Sequence, residues 1–266
     1  MPDPPAAILP PVGIGVPNPD AVARMRVDWE ARAVDDPLYY IASSQRVWSL
    51  SEFYASGPLL VEQIVDPALA LLGVDPAGLR VLEIGCGMGR LFGGLAQRFA
   101  SVSGIDIAAT MVEKGRAECP ADATWFVGDG STLTGVEDES IDHVLSFEVF
   151  QHIPDRVAIF SYVAEIARVL VPGGTFQVHL RKGSDTKSQA IVRAMPRPLR
   201  IASAKSLRAV GVLPVIGDID SWLGAIMPST DAEAEATRLG FVDVSLLADS
   251  VHHGDMGYWM VGRSPA

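Results

Sequence analysis

The sequence predicts an α/β fold built on a largely parallel sheet, and three observations carry that prediction. Between residues 79 and 182, short apolar runs alternate with amphipathic stretches, the pattern of strands joined by crossover helices. The first run, Leu79–Ile84, opens directly into the glycine loop Gly85-Cys86-Gly87-Met88-Gly89. A later run, Ile141–Phe147, is almost wholly apolar after Asp142 and His143, as a strand covered on both faces requires.

The elements follow in order. Residues 1–20 hold seven prolines and little periodicity, which predicts an extended or disordered arm. Residues 21–75 form a helical cap, rich in aromatics at Trp29, Tyr39, Tyr40, Trp48, Phe53 and Tyr54, with a helix starting at Pro58. These rings suit a layer packed on the sheet and equally the apolar walls of a pocket. The main domain runs over 76–266. After the glycine loop comes a helix over about Arg90–Phe99, then strand Val102–Ile107, helix Thr110–Glu118 and strand Thr124–Gly128. Helix Arg156–Leu170 follows the fourth strand, Val171-Pro172-Gly173-Gly174 ends it, and Thr175–Leu180 is the fifth strand. Residues 183–230 break the alternation and read as an insertion, with short helices around Ser206–Val212 and Ile219–Ile226. A helix over 231–239, the stop at Gly240, and strands Phe241–Leu247 and Tyr258–Val261 complete the chain.

Composition narrows the function classes. At 266 residues, 48% hydrophobic and 20% charged, the chain has the make-up of a globular protein. Its net charge of -11 is a poor match for a phosphate backbone, so no nucleic-acid partner is expected. Cys86 and Cys119 are the two cysteines, too few for a disulfide framework, and a reducing cytoplasm fits. No apolar run reaches the ~18 residues of a spanning helix; Leu59–Val74 comes closest, broken by Glu62, Asp66 and Pro67. A soluble protein without a membrane partner is therefore expected.

The chemistry concentrates at strand ends, where open α/β sheets bind ligands. Glycines at 85, 87 and 89 let the backbone turn sharply and approach a ligand. A dinucleotide fingerprint would place its third small residue at position 90, which is Arg90. Glu83, two residues before the first glycine, repels a pyrophosphate and suits a cationic cofactor. Asp106 lies 21 residues after Gly85, at the end of the second strand, where a carboxylate accepts from ribose hydroxyls or caps the next helix. Asp129, in Gly128-Asp129-Gly130-Ser131, either accepts from an adenine amino group or makes a local turn.

On these residues the chain resembles the class I S-adenosylmethionine-dependent methyltransferases of the small-molecule type, over roughly 75–180. Val81-Leu82-Glu83-Ile84-Gly85-Cys86-Gly87-Met88-Gly89 is similar to the family's first motif. Asp106 and Met111, in Asp106-Ile107-Ala108-Ala109-Thr110-Met111, match its ribose acid and adenine-packing methionine, and Asp129, followed by Gly130, its adenine-binding acid. Phe147-Glu148-Val149-Phe150-Gln151-His152-Ile153-Pro154-Asp155 matches the segment after strand four. The resemblance implies a Rossmann-like seven-stranded sheet of order 3-2-1-4-5-7-6 with strand seven antiparallel. It implies S-adenosylmethionine as cofactor, S-adenosylhomocysteine as product, and a small-molecule acceptor met by the cap and the insertion.

Methyl transfer from a sulfonium needs alignment and, for a hydroxyl acceptor, a base. His152, directly after strand four, and His179, at the end of strand five, are the candidates; His152 alternatively packs against the cofactor or caps a turn, and His179 is alternatively a metal ligand or a strand residue facing a helix layer. His143 lies at the opposite edge and reads as structural, while His252 and His253 sit in the last hairpin loop. The Glu148/His152 spacing is similar to a Glu-x-x-Glu-His metal pattern of some relatives, but Gln151 replaces the second acid, so no metal is expected. The expected reaction is O-methylation of a small polar metabolite, such as a saccharide or secondary metabolite. N- or C-methylation, or a cofactor-binding regulator without catalysis, are the alternatives.

Overall fold

The computed structural model describes residues 15–43, 47–183, 194–196, 198–199, 220–249 and 257–266. Seven strands form one sheet in the order β3-β2-β1-β4-β5-β7-β6. They are β1 (Arg80–Ile84), β2 (Ser101–Asp106), β3 (Thr124–Val127), β4 (Ile141–Ser146), β5 (Leu170–Arg181), β6 (Val242–Ala248) and β7 (Gly257–Arg263). Pairings among β1 to β5 are parallel, and β7 runs antiparallel between β5 and β6. The order reverses between β1 and β4, and ligands of such sheets bind in the crevice at that reversal.

Alternation along the strands feeds two cores. Leu82, Ile84, Val144, Phe176, Val178 and Leu180 face one cluster, together with α7 (Arg156–Val169). Val81, Val102, Leu145 and Trp259 face the other, with α3 (Leu50–Ile64), α4 (Asp66–Leu72) and α5 (Phe92–Ala96). The stretch Leu50–Leu72 is 23 residues long and apolar enough to cross a membrane by length and composition, with 44% of its most apolar 18-residue window buried inside the fold. Its inward side, from Phe53 through Leu60, Val61 and Ile64 to Leu69, packs within the protein.

Two expected boundaries move for local reasons. The helix expected to start at Pro58 begins at Leu50, because Ser49 and Glu52 form a reciprocal capping box. Pro58 lies inside it, so the Tyr54 carbonyl loses its usual helical donor. The helix expected over Arg90–Phe99 is reduced to Phe92–Ala96. Its Gly93-Gly94 pair weakens the helix, but a Cβ on Gly94 would lie 2.8 Å from Pro58 Cα, so a glycine there lets α3 and α5 approach. Gly57 does the same on the opposite side, facing the Arg90 carbonyl with no room for a methyl group. Gly57→Ala is expected to destabilise the fold by about 1–3 kcal/mol, the usual cost of overpacking, read as a lower urea midpoint at unchanged slope.

The strand expected at Thr175 instead starts at Leu170: the Pro172-Gly173 segment is a bulge within β5, where pairing jumps from Ile141↔Leu170 to His143↔Thr175. Residues 1–14 of the expected arm, the helix expected at Ser206–Val212, and His252 and His253 lie outside the described residues. The rest of the arm leads into α1 (Pro19–Asp35), capped by Asn18. Of the insertion, α8 (Asp220–Leu223) is described, shorter than the expected helix, and α9 (Ser229–Arg238) precedes β6.

The cap is tied to the main domain by its polar groups. Helix α6 (Ala109–Glu118) has no side-chain cap of its own at Ala108. The Glu30 carboxylate of α1 takes that role, accepting from the Ala109 and Thr110 N–H groups. Lys114 of α6 donates in turn to the Ala33 carbonyl at the far end of α1, at 2.8 Å.

Candidate active site

A cavity of about 410 Å³ opens at the sheet's reversal point. Its wall is built from the glycine loop, the ends of β2 and β4, and the cap. Gly85 and Gly87 hold φ of 73° and 53°, in the left-handed region that favours glycine. A Cβ on Gly85 would strike Val149, and one on Gly87 would lie 2.8 Å from Ile41. The loop is thereby pressed between the β4 end and the cap, with its backbone along the cavity.

Of the residues singled out from sequence, Glu83, Gly85, Cys86, Gly87, Asp106, Ile107, Met111, Phe147 and His152 line this one cavity. Asp106 accepts from the Gly87 N–H at 2.9 Å through one oxygen and from the Ala108 N–H at 2.9 Å through the other. It therefore ties the glycine loop to the turn that leads into α6. Burial pushes its carboxyl up to about 6, the backbone donors opposing that rise. Glu83 is buried, and its Oε2 has no hydrogen-bond partner. Burial and the neighbouring Asp106 hold its carboxyl well above the usual range. An unsatisfied carboxyl oxygen at a cavity wall is costly unless a donor or cation comes to it.

Three predicted residues are placed elsewhere. Asp129 turns into its own loop: it accepts from the Ser131 and Thr132 N–H groups at 2.8 and 2.7 Å and from the Thr132 hydroxyl at 2.6 Å. Those bonds outweigh burial and lower its pKa. Neither Asp129 nor Gly130 is part of the cavity wall; the turn that the Asp-Gly pair also encodes has taken the side chain. His179 lies one layer behind the wall. It shares the β5 face of Gln177, packs on Trp259 at 4.9 Å and on Phe147 at 5.7 Å, and pairs with Asp249 at 3.4 Å. Strand alternation sends it to the α3 side of the sheet, so Phe147 stands between it and the cavity.

His152 is on the wall, in a single 3-10 turn, Phe150–His152, that follows β4. Its Nδ1 lies 2.6 Å from the Trp222 carbonyl of α8. The ring stands edge-on to Trp29 at 5.4 Å and tilted on Trp222 at 5.1 Å. Burial drives its pKa down to about 4, so the imidazole is neutral at ordinary pH. Glu148 beside it has φ 57°, an uncommon backbone state for a residue with a Cβ, at the cavity wall. Among the described residues no three His, Cys, Asp or Glu side chains come together as a metal site.

Several wall residues were not foreseen as site residues. Arg181 and Trp222 line the cavity together with Trp29 and Tyr40. The aromatic richness of the cap was a usable signal for Trp29 and Tyr40. Nothing in the local sequence marked Trp222, which reaches the cavity by tertiary packing of the insertion.

Comparison with known proteins agrees with this layout. Residues 82–178 match the family model described as methyltransferase domain. A ubiquinone biosynthesis O-methyltransferase of Xanthomonas oryzae pv. oryzae (strain PXO99A) is 36% identical over 104 residues, 38% of this chain and 42% of the relative. A second ubiquinone biosynthesis O-methyltransferase, from Chelativorans sp. (strain BNC1), is 34% identical over 125 residues, 44% of this chain and 48% of the relative. The chain thus spans less than half the length of these curated relatives. Among solved structures, the magnesium protoporphyrin IX methyltransferase of Synechocystis PCC 6803, with bound S-adenosylmethionine, has a TM-score of 0.56 at 17% identity. That match covers 92% of this chain and 97% of the other. At such identity the likeness speaks for the fold.

Proposed function

We propose that this protein is a class I S-adenosylmethionine-dependent methyltransferase, a reading supported by the match of residues 82–178 to a methyltransferase-domain model, and that it methylates a hydroxyl group on a small polar metabolite. The observation that carries the reading is the joint presence, in one cavity, of the left-handed glycine loop, the doubly anchored Asp106 and the unsatisfied Glu83 oxygen. The three suit three parts of one ligand. Asp106, charged above about pH 6, has lone pairs left to accept from ribose hydroxyls. Met111 and Ile107 supply apolar surface for a purine. The Glu83 carboxyl answers the positive end of an amino acid or a sulfonium. A pyrophosphate would meet Glu83 and Asp106 instead of the donors it requires.

S-adenosylmethionine held there supplies an activated methyl carbon whose leaving group is a neutral thioether. The chain's own residues have two further tasks. Trp29, Tyr40 and Trp222 present flat apolar faces that hold an acceptor and exclude water. His152 takes the proton. The Trp222 carbonyl can only accept, so in the neutral ring the hydrogen sits on Nδ1 and Nε2 keeps its lone pair. The acceptor oxygen gains the methyl carbon and gives its proton to Nε2, and the Trp222 carbonyl stabilises the imidazolium that forms. Because the imidazole is a weak base here, proton transfer comes late, after the oxygen has become acidic.

Thermal denaturation with S-adenosylhomocysteine, NADH and NADPH tests the reading. A ligand at about 100 times its dissociation constant adds roughly 2.7 kcal/mol, and S-adenosylhomocysteine alone is expected to do so. Stabilisation by a nicotinamide and not by S-adenosylhomocysteine overturns the proposal. Stabilisation by S-adenosylhomocysteine without methyl transfer to any hydroxylated acceptor would move the protein to the class of cofactor-binding regulators.

A further inference from the structure

Against the wall residues Trp29 and Trp222 packs a buried polar group that the reaction does not use directly. Arg32 is fully buried and Asp28 and Ser221 nearly so, although α1 and α8 lie almost 190 residues apart in the chain. Ser221 Oγ donates to Asp28 Oδ2 at 2.8 Å. Arg32 donates to Ser221 Oγ at 3.1 Å and to the Ser221 carbonyl at 3.4 Å. Its guanidinium lies over the Trp29 ring at 4.6 Å and faces the Trp222 ring at 5.4 Å. Burying a charge in this way is costly, and an apolar contact would join two helices with less penalty. What the arrangement adds is direction.

Helix α8 has four residues and cannot hold its own geometry. It is fixed from three sides. Arg32 and Asp28 hold its start. Arg181 donates to the Leu223 carbonyl at 2.6 Å and to the Gly224 carbonyl at 3.3 Å. The Ala225 N–H donates to the Ile153 carbonyl at 2.7 Å. Gly224, at φ 54°, sits against the Gln151 carbonyl, where a Cβ would have no room and would come within 2.9 Å of His152 Cα. The carbonyl left pointing at His152 is that of Trp222, between the two pinned ends.

We propose that Asp28, Arg32 and Ser221 are positioning residues: they hold α8 so that the Trp222 carbonyl selects the Nδ1–H form of His152 and leaves Nε2 bare toward the acceptor. The inference rests on His152 being the base, yet its test needs neither acceptor nor turnover. The full chain is labelled with ¹⁵N-histidine, saturated with S-adenosylhomocysteine and observed by long-range ¹H–¹⁵N NMR at neutral pH. The His152 signal is identified by its loss in His152→Asn. The wild-type ring is expected to be the Nδ1–H tautomer. In Ser221→Ala, and more strongly in Gly224→Ala, the tautomer ratio is expected to shift toward Nε2–H by about tenfold, what one hydrogen bond of ordinary strength controls. Ser221→Thr, which keeps the hydroxyl, is expected to restore the wild-type ratio. An Nε2–H tautomer in the wild type overturns the proposal, as does an unchanged ratio in Ser221→Ala, the milder variant. Failure of methyl transfer with the Nδ1–H form intact would instead count against the reading of His152 as the base.

Discussion

His152→Ala is expected to lower kcat by roughly 10²–10⁴-fold, the usual contribution of a positioned general base, while S-adenosylhomocysteine affinity stays unchanged. The imidazole stands on the wall against Trp29 and Trp222, the faces proposed to hold the acceptor, so its loss should be felt by the acceptor alone. The measurement is turnover of a hydroxylated acceptor with labelled methyl donor, with calorimetry on the same samples. Because burial lowers the ring's pKa from 6.5 to about 4, kcat at saturating cofactor should show no acid limb near 6.5. His179→Ala, behind Phe147, is the parallel control. Loss of kcat in that variant, with normal kcat in His152→Ala, would move the role to β5. Activity retained in both would mean that alignment alone carries the reaction.

Asp106→Ala is expected to weaken S-adenosylhomocysteine binding by about 10- to 150-fold, since hydrogen bonds to a charged group are each worth roughly 1.5–3 kcal/mol. The wild-type affinity should also depend on pH. The carboxyl titrates at about 6, so binding is full above that value and falls as pH drops through it. In Asp106→Ala this dependence disappears. In the ligand-free protein the same rise has the opposite sign for stability. The contribution of Asp106 is present below 3.8 and lost as pH rises through about 6, because the folded state disfavours the charge. Ligand affinity thus grows where the group's own contribution to folding declines. Calorimetry across pH 5 to 8, about one unit or more either side of the transition, checks the affinity limb. A flat profile with unchanged affinity in the variant would remove Asp106 from the cofactor site.

How far the sequence could be read depended on the range of the interactions involved. The strand–glycine–helix passage at Leu82–Gly89 is local chemistry: positive φ at Gly85, Gly87 and Gly89 is written into the residues themselves. Asp106 is local only in part: its bond to Ala108 spans two positions, whereas its bond to Gly87 spans 19 and depends on β1 and β2 lying side by side. Asp129 was local but carried two meanings, and its side-chain bonds stay within residues 131–134. Alternation along β5 turns His179 away from the cavity, yet the alternation could be phased only once the strand's true start and its bulge were known. The contact of Ser221 with Asp28, 193 positions away, has no local signature. The start of α3 did have a local signature, the Ser49/Glu52 capping box, which begins nine residues before Pro58 and took precedence over a proline that commonly opens helices.

The Glu30 carboxylate at the head of α6 bears on how such proteins can be recombined. A helix end left without acceptors for its first N–H groups is weakened, and here the acceptor comes from the N-terminal cap. Cap and main domain are therefore not interchangeable cassettes. A chimera that replaces residues 19–41 with the corresponding segment of another enzyme, to import its acceptor preference, would also remove the anchor of the helix that carries Met111. Its cofactor affinity would change along with its acceptor preference unless a carboxylate is kept at position 30. Swaps confined to the cavity-facing Trp29 and Tyr40 leave that anchor in place and are the cleaner route to altered selectivity.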